Sequence, residues 1–226
     1  AQEDMVGMVL TSGGKSVLPT FGAETRLGTN PIALAAPARN EAPFLFDAAT
    51  SSIAGNKVRL VARNGTKLSA GSIGDENGNP IMEPMSVDVS EDFIDIPNLL
   101  PLGGNRDQGS HKGYGLSLFV EILCTILSGN VPNMVDPNGN LCHFFAAFNI
   151  ESFTEYNIFI SNMDAMLETL LNTPPTPEAD RVIYPGIMEY ENEQDRIENG
   201  IPLHKEVVEW FSSTSKSMKI DFVKLL

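Results

Sequence analysis

The stretch His111-Lys112-Gly113-Tyr114-Gly115-Leu116 gathers the residues best suited to chemistry in this chain. Lys112 sits where a helix begins, and there the helix dipole disfavours a cation by roughly 0.3–1 kcal/mol. The neighbouring glycines leave room for something to approach the backbone closely. A lysine, free amide groups and a helix N-terminus together suit an anion such as a phosphate or carboxylate. A solvated lysine beside loop glycines would account for the same residues, and both readings stay open. A second candidate is Asp47, at the carboxyl end of the apolar run Phe44-Leu45-Phe46. Open α/β sheets place ligand-binding groups at such strand ends, and a helix N-cap is the alternative role.

Other constellations carry less. Asp75-Glu76-Asn77-Gly78-Asn79-Pro80 alternates acidic and amide residues but lacks the spacing and closing glutamate of a calcium loop, so a surface hairpin over Gly71 to Pro84 is expected. His111, His143 and His204 are scattered, and each reads as structural or solvent-facing. No G-x-G-x-x-G, G-x-x-x-x-G-K-[ST], G-x-S-x-G or paired-cysteine spacing occurs, which argues against a Rossmann fingerprint, a P-loop, a nucleophile elbow and a zinc ribbon.

These residues need elements to position them. Between Gly113 and Ser128 the only charge is Glu121. Leu116, Phe119, Val120, Leu123, Ile126 and Leu127 recur at helical spacing, with Leu118 and Ile122 opposite. The pattern predicts a central helix buried nearly all round and too short for a membrane span. Met5 to Leu10 reads as a strand ending in the turn Thr11-Ser12-Gly13-Gly14, and Ile32 to Ala36 and Phe44 to Asp47 read as further strands. A helix is expected through Val58, Leu60 and Val61, and a flexible approach to the central helix over Ile94 to Arg106. Gly129 is a natural helix stop. A long loop over Val131 to Asn140 then leads to a buried strand over Leu141 to Asn149. An amphipathic helix over Tyr156 to Asn172 has Ile160, Met163, Leu167, Leu170 and Leu171 inward, and Pro174 and Pro175 stop it. Val182 to Gly186 reads as a short strand and turn, followed by helices over Glu189 to Glu198 and Lys205 to Thr214.

The 226 residues suit one large or two small domains with ample core. Basic residues number 15 against 29 acidic, a net charge of −14 that argues against nucleic acid or an anionic membrane as partner. Cys124 and Cys142 fall in apolar runs and read as buried thiols of a reducing compartment. With no signal peptide or long apolar span, a cytoplasmic location is expected. The start Ala1-Gln2-Glu3-Asp4 runs straight into a strand and reads as the interior of a longer chain.

Several motifs, taken in order, resemble the malate/L-lactate dehydrogenase family of NAD(P)-dependent oxidoreductases, a non-Rossmann group. They are Gly28-Thr29-Asn30-Pro31-Ile32-Ala33, Phe46-Asp47-Ala48-Ala49-Thr50-Ser51, Gly55-Asn56-Lys57-Val58 and Lys112-Gly113-Tyr114-Gly115-Leu116. The match continues through Asp75 to Pro84, His143-Phe144-Phe145, Tyr184-Pro185-Gly186 and Glu198-Asn199-Gly200-Ile201-Pro202-Leu203. The resemblance implies an α/β fold with a mixed sheet flanked by helices and usually a homodimer. It divides the chain into a cofactor-binding core over 1–203 and a C-terminal helix and tail over 204–226. It also implies hydride transfer between NAD or NADP and a small 2-hydroxy or 2-oxo acid. Cofactor contacts are implied at Thr11, Ser12 and Gly13, at Asp47, Ala48 and Ala49, and at Lys112 and Gly113. The family usually has an acid directly after the glycine matching Gly186; here Ile187 stands there, and Glu189 is the nearby substitute. The family's general acid/base histidine, and the serine and arginine that grip the substrate carboxylate, belong to a segment before the match to Ala1, so no catalytic residue is assigned. A non-catalytic nucleotide-binding or interaction protein on the same scaffold is the alternative.

Overall fold

A computed structural model describes residues 3–87 and 98–220. Four strands form one sheet in the order β3-β2-β1-β6: β1 (Met5–Ser12), β2 (Ile32–Ala36), β3 (Phe44–Ala48) and β6 (Cys142–Asn149). Among the described residues its ladders are antiparallel, and a parallel bridge, Val17–Leu99, lies outside it. Helices flank the sheet, as expected, with α2 packed on β1; the helices are α1 (Gly55–Arg63), α2 (Ser110–Glu121), α3 (Tyr156–Leu171), α4 (Ile187–Asn199) and α5 (Lys205–Met218). A two-stranded ribbon, β4 (Lys67–Leu68) with β5 (Met85–Ser86), closes the region after α1. The approach to α2 lies partly outside the described residues, as does the tail after Ile220.

Side chains alternate between the two faces of a strand, so register fixes what each face presents. Val9 pairs with Ala33 and Phe145, Gly7 with Ala35 and Ala147, and Ala33 with Asp47. One face therefore has a floor of Gly7, Val9, Ala33, Ala35 and Ala147, rimmed by Leu45, Asp47, Thr11, His143 and Phe145. The other face packs on α2, where Leu10, Val120, Cys124 and Cys142 form a buried cluster. Both thiols are free and buried, and burial pushes the Cys124 thiol above its ordinary range.

Three expectations are corrected. The central helix is not buried all round: Leu116, Phe119, Ile122 and Ile126 are exposed, while Gly113, Ser117, Glu121 and Thr125 face inward. The sheet covers only one side of α2, and the inward side joins the apolar Val120 and Cys124 to small and hydrogen-bonded residues chosen by close approach. Its last turns also depart from α geometry. The π segment Ile122–Ile126 closes with Leu127 N–H donating to Ile122 O at 2.8 Å, and Gly129 ends it with positive φ. Strand β6 is an edge strand with Phe145 71% exposed, not a buried one. Val182 to Gly186 forms no ladder and only its Pro185 carbonyl accepts from Leu45 N–H, at 3.0 Å, because proline cannot donate. The Asp75 turn is exposed as expected, yet Gly71 to Gly74 beside it is buried, with Ile73 in the core under α1.

Candidate cofactor site

The antiparallel topology brings the carboxyl end of β1, the amino end of β2 and the carboxyl end of β3 to one end of the sheet. Thr11, Asn30 and Asp47 lie there, and α2 passes beneath Asn30 at Ser117 and Glu121. The link from β3 to α2 is continuous: Thr50 N–H donates to Thr29 O at 2.8 Å and Leu102 N–H to Thr50 O at 2.9 Å. Leu102 in turn lies against Gly113, where a β-carbon would stand 2.4 Å from the Leu102 carbonyl oxygen. Only glycine permits that approach, so Gly113 packs α2 against Leu102, which is hydrogen-bonded to Thr50 beyond the end of β3.

At the helix start the amides are less free than a bare helix N-terminus would leave them. Ser110 N–H donates to Asn105 O at 2.9 Å and Lys112 N–H to Gly109 O at 2.8 Å, because the 105–109 loop folds back over the first turn. Gly109 in left-handed conformation precedes the helix and supplies no side-chain cap. Lys112 is exposed. The attraction of this corner for an anion therefore rests on the lysine more than on the amides. Arg106 Nη1 lies 2.7 Å from His111 Nδ1 beside it.

The remaining candidates divide by face. Thr11 is on the open face, its Oγ1 3.0 Å from His143 Nδ1. Asp47 is exposed on the same face. It lines a cavity of about 530 Å³ together with Tyr184, Gly186 and Glu189. Ser12 is fully buried and turned toward α2. Gly13 follows β1, and its amide donates to Asn30 Oδ1 at 3.3 Å. Ala48 and Ala49 are half-buried. Ile187 is 8% exposed and packs with Ala42, Leu167 and Tyr184, so its side chain belongs to the core. The structure thus groups Asp47 with Glu189, and Thr11, Gly13 and the Lys112 helix around the sheet end.

A buried polar network under the Thr11–Gly13 turn had only slight signals in sequence. Asn30 Nδ2 donates to Ser117 Oγ and Glu121 Oε1, each at 3.0 Å, and lies 3.2 Å from Ser117 O. Thr125 Oγ1 donates to Glu121 Oε2 at 3.2 Å and lies 2.5 Å from Ser12 Oγ. The signals were the lone charge of Glu121 in an apolar helix and the Asn30-Pro31 break before β2.

Comparison with known proteins gives the class. The malate/L-lactate dehydrogenase family profile matches residues 1–212, and the chain belongs to this family. It is 38% identical over 226 residues to a malate dehydrogenase of Pyrococcus abyssi, covering 97% of this chain and 60% of that protein. Over 181 residues it is 38% identical to an L-lactate dehydrogenase of Cupriavidus necator, covering 77% of this chain and 48% of that protein. The crystal structure of malate dehydrogenase from Entamoeba histolytica superposes with a TM-score of 0.85 at 34% identity, over 98% of this chain and 63% of that chain. The chain thus spans about 60% of the length of the Pyrococcus relatives it matches. Among the described residues no helix is long and apolar enough to cross a membrane.

Proposed function

We propose that this chain supplies the cofactor-binding part of an NAD(P)-dependent oxidoreductase that moves a hydride between nicotinamide and C2 of a small 2-hydroxy or 2-oxo acid. The observation that carries the reading is the convergence of Thr11, Gly13, Asp47 and the Lys112 helix at one end of the sheet, in a chain of this family. The cofactor supplies the hydride. This chain's part is to bind and orient the dinucleotide: Lys112 toward its phosphates, Asp47 and Glu189 toward ribose hydroxyls.

Among the described residues the lining of the cavity at Asp47 and Glu189 includes no lysine or arginine. Carboxylates accept hydrogen bonds from a ribose diol and repel a 2′-phosphate, which favours NADH over NADPH. The exposed apolar side of α2 supports a homodimer, and the free buried thiols support a cytoplasmic setting. Residues 1–203 are the cofactor-binding core in this reading, and 204–226 a C-terminal appendage. The test is titration of the purified chain with NADH and NADPH, followed by Asp47→Asn. Tighter binding of NADH, and a smaller preference in the variant, are expected. Failure to bind either cofactor would overturn the reading.

A further inference from the structure

The groups proposed to meet the cofactor lie on separate elements: the Thr11–Gly13 turn ends β1 and Lys112 starts α2. What fixes one relative to the other is buried and polar. Asn30 is 1% exposed, and its left-handed backbone, φ 37°, is one that asparagine tolerates better than most residues. That conformation aims Oδ1 at the Gly13 amide and Nδ2 at α2, one and two turns beyond Gly113. Glu121, 4% exposed, takes the amide on one carboxyl oxygen and Thr125 on the other. Because the single hydroxyl hydrogen of Thr125 goes to Glu121, the hydroxyl of Ser12 must donate to Thr125. The chain of donors therefore runs from β1 through the π segment of the helix and ends on Glu121, where the chain from β2 also ends. The backbone leaves no slack here, since a β-carbon on Gly28 would fall 1.9 Å from the Gly13 carbonyl oxygen.

We propose that Asn30 and Glu121 are positioning residues: they hold the Thr11–Gly13 turn and the Lys112 helix in one fixed relation, so that dinucleotide affinity depends on an amide–carboxyl pair that itself touches no ligand. This rests on the cofactor reading above. A positioning role has a signature that general destabilisation lacks. The parts of the site stay intact but lose register, so a ligand spanning them suffers while a fragment held by one part does not.

The test exchanges the pair. Asn30→Asp sets two carboxyl groups against each other, and the double variant Asn30→Asp/Glu121→Gln restores one donor facing one acceptor. Affinities for NADH, AMP and nicotinamide mononucleotide are measured by calorimetry on the wild type and each variant. The expected result is a loss of at least about tenfold for NADH in Asn30→Asp, recovery to within about threefold in the double variant, and mononucleotide affinities changed by less than about twofold throughout. Should Asn30→Asp not fold, Thr125→Val, which removes only the hydroxyl between Ser12 and Glu121, is expected to weaken NADH severalfold and spare the mononucleotides. Unchanged NADH affinity, or equal loss for NADH and both fragments, overturns the positioning role while leaving the cofactor site standing. A wild type that binds no dinucleotide overturns the cofactor reading itself, and the positioning role with it.

Discussion

Helix α2 carries two glycines, two positions apart, whose surroundings predict opposite effects of the same substitution. At Gly115 an added β-carbon meets nothing within 4 Å, whereas at Gly113 it stands 2.4 Å from Leu102 O and 2.5 Å from Leu102 N. Both lie inside a helix, where alanine is favoured over glycine by about 1 kcal/mol. Gly115→Ala should keep most of that gain. At Gly113 the opposing atoms are backbone, and ordinary carbon contacts need ~3.5 Å, so the helix must retreat by about an ångström. Overpacking of this kind costs ~1–3 kcal/mol, which cancels the propensity gain or exceeds it by up to ~2 kcal/mol. In a chain of this length each kcal/mol moves Tm by roughly 2–4 °C, so the two variants should melt well apart. Thermal melts followed by circular dichroism read the difference, and NADH titration should show weaker binding only for Gly113→Ala. If Gly113→Ala melts at or above Gly115→Ala, the close packing of α2 on Leu102 is refuted, and with it the coupling of the Lys112 corner to the Asp47 strand.

Three further outcomes follow from the same geometry. Lys112→Ala should weaken NADH binding while leaving stability within about ±0.5 kcal/mol, as for an exposed side chain; unchanged affinity in a fluorescence titration would remove the anion role. Tyr184→Phe should cost about 1–2 kcal/mol in chemical denaturation, because Tyr184 Oη donates to Ala42 O at 2.8 Å in a buried setting. Burial pushes the Asp164 carboxyl up, but the amides of Arg39, Asn40 and Glu41 together outweigh it and leave it below its usual range. Its contribution to stability is therefore present above about pH 4 and lost as pH falls through the lowered folded value. In melts below pH 5, Asp164→Asn should show a shallower acid decline than the wild type.

Much of the fold was legible because periodicity is a strong signal when one side of an element is wet. Helix α3 reads correctly at Ile160 and Leu167, both fully buried, while Leu170, expected inward, is 41% exposed. Gly200, with positive φ, ends α4 where Asn199-Gly200 predicted. Helix α2 misled because hydrophobicity on every side says that two faces want cover, and not which one the sheet takes. The inward face went to Gly113, Ser117, Glu121 and Thr125, residues that a hydropathy reading places outside. Strand β6 misled for a related reason, since Phe144 and Phe145 alternate faces and only the first meets the core. Of the site, Asp47 and Lys112 stood out by type and position. Asn30 did not, because its role depends on a left-handed backbone and on partners 87 and 91 residues away in sequence.

The floor of Gly7, Val9, Ala33, Ala35 and Ala147 offers a visitor only aliphatic and backbone carbon. Such a surface has shape but no vocabulary: it can say how near something comes, and nothing about which acid or which nucleotide has arrived. Discrimination must be written in the rim, by residues such as Asp47, Thr11 and His143, or by whatever closes over the top. Changes of ligand preference can then accumulate at a few rim positions without disturbing strand register or the core beneath.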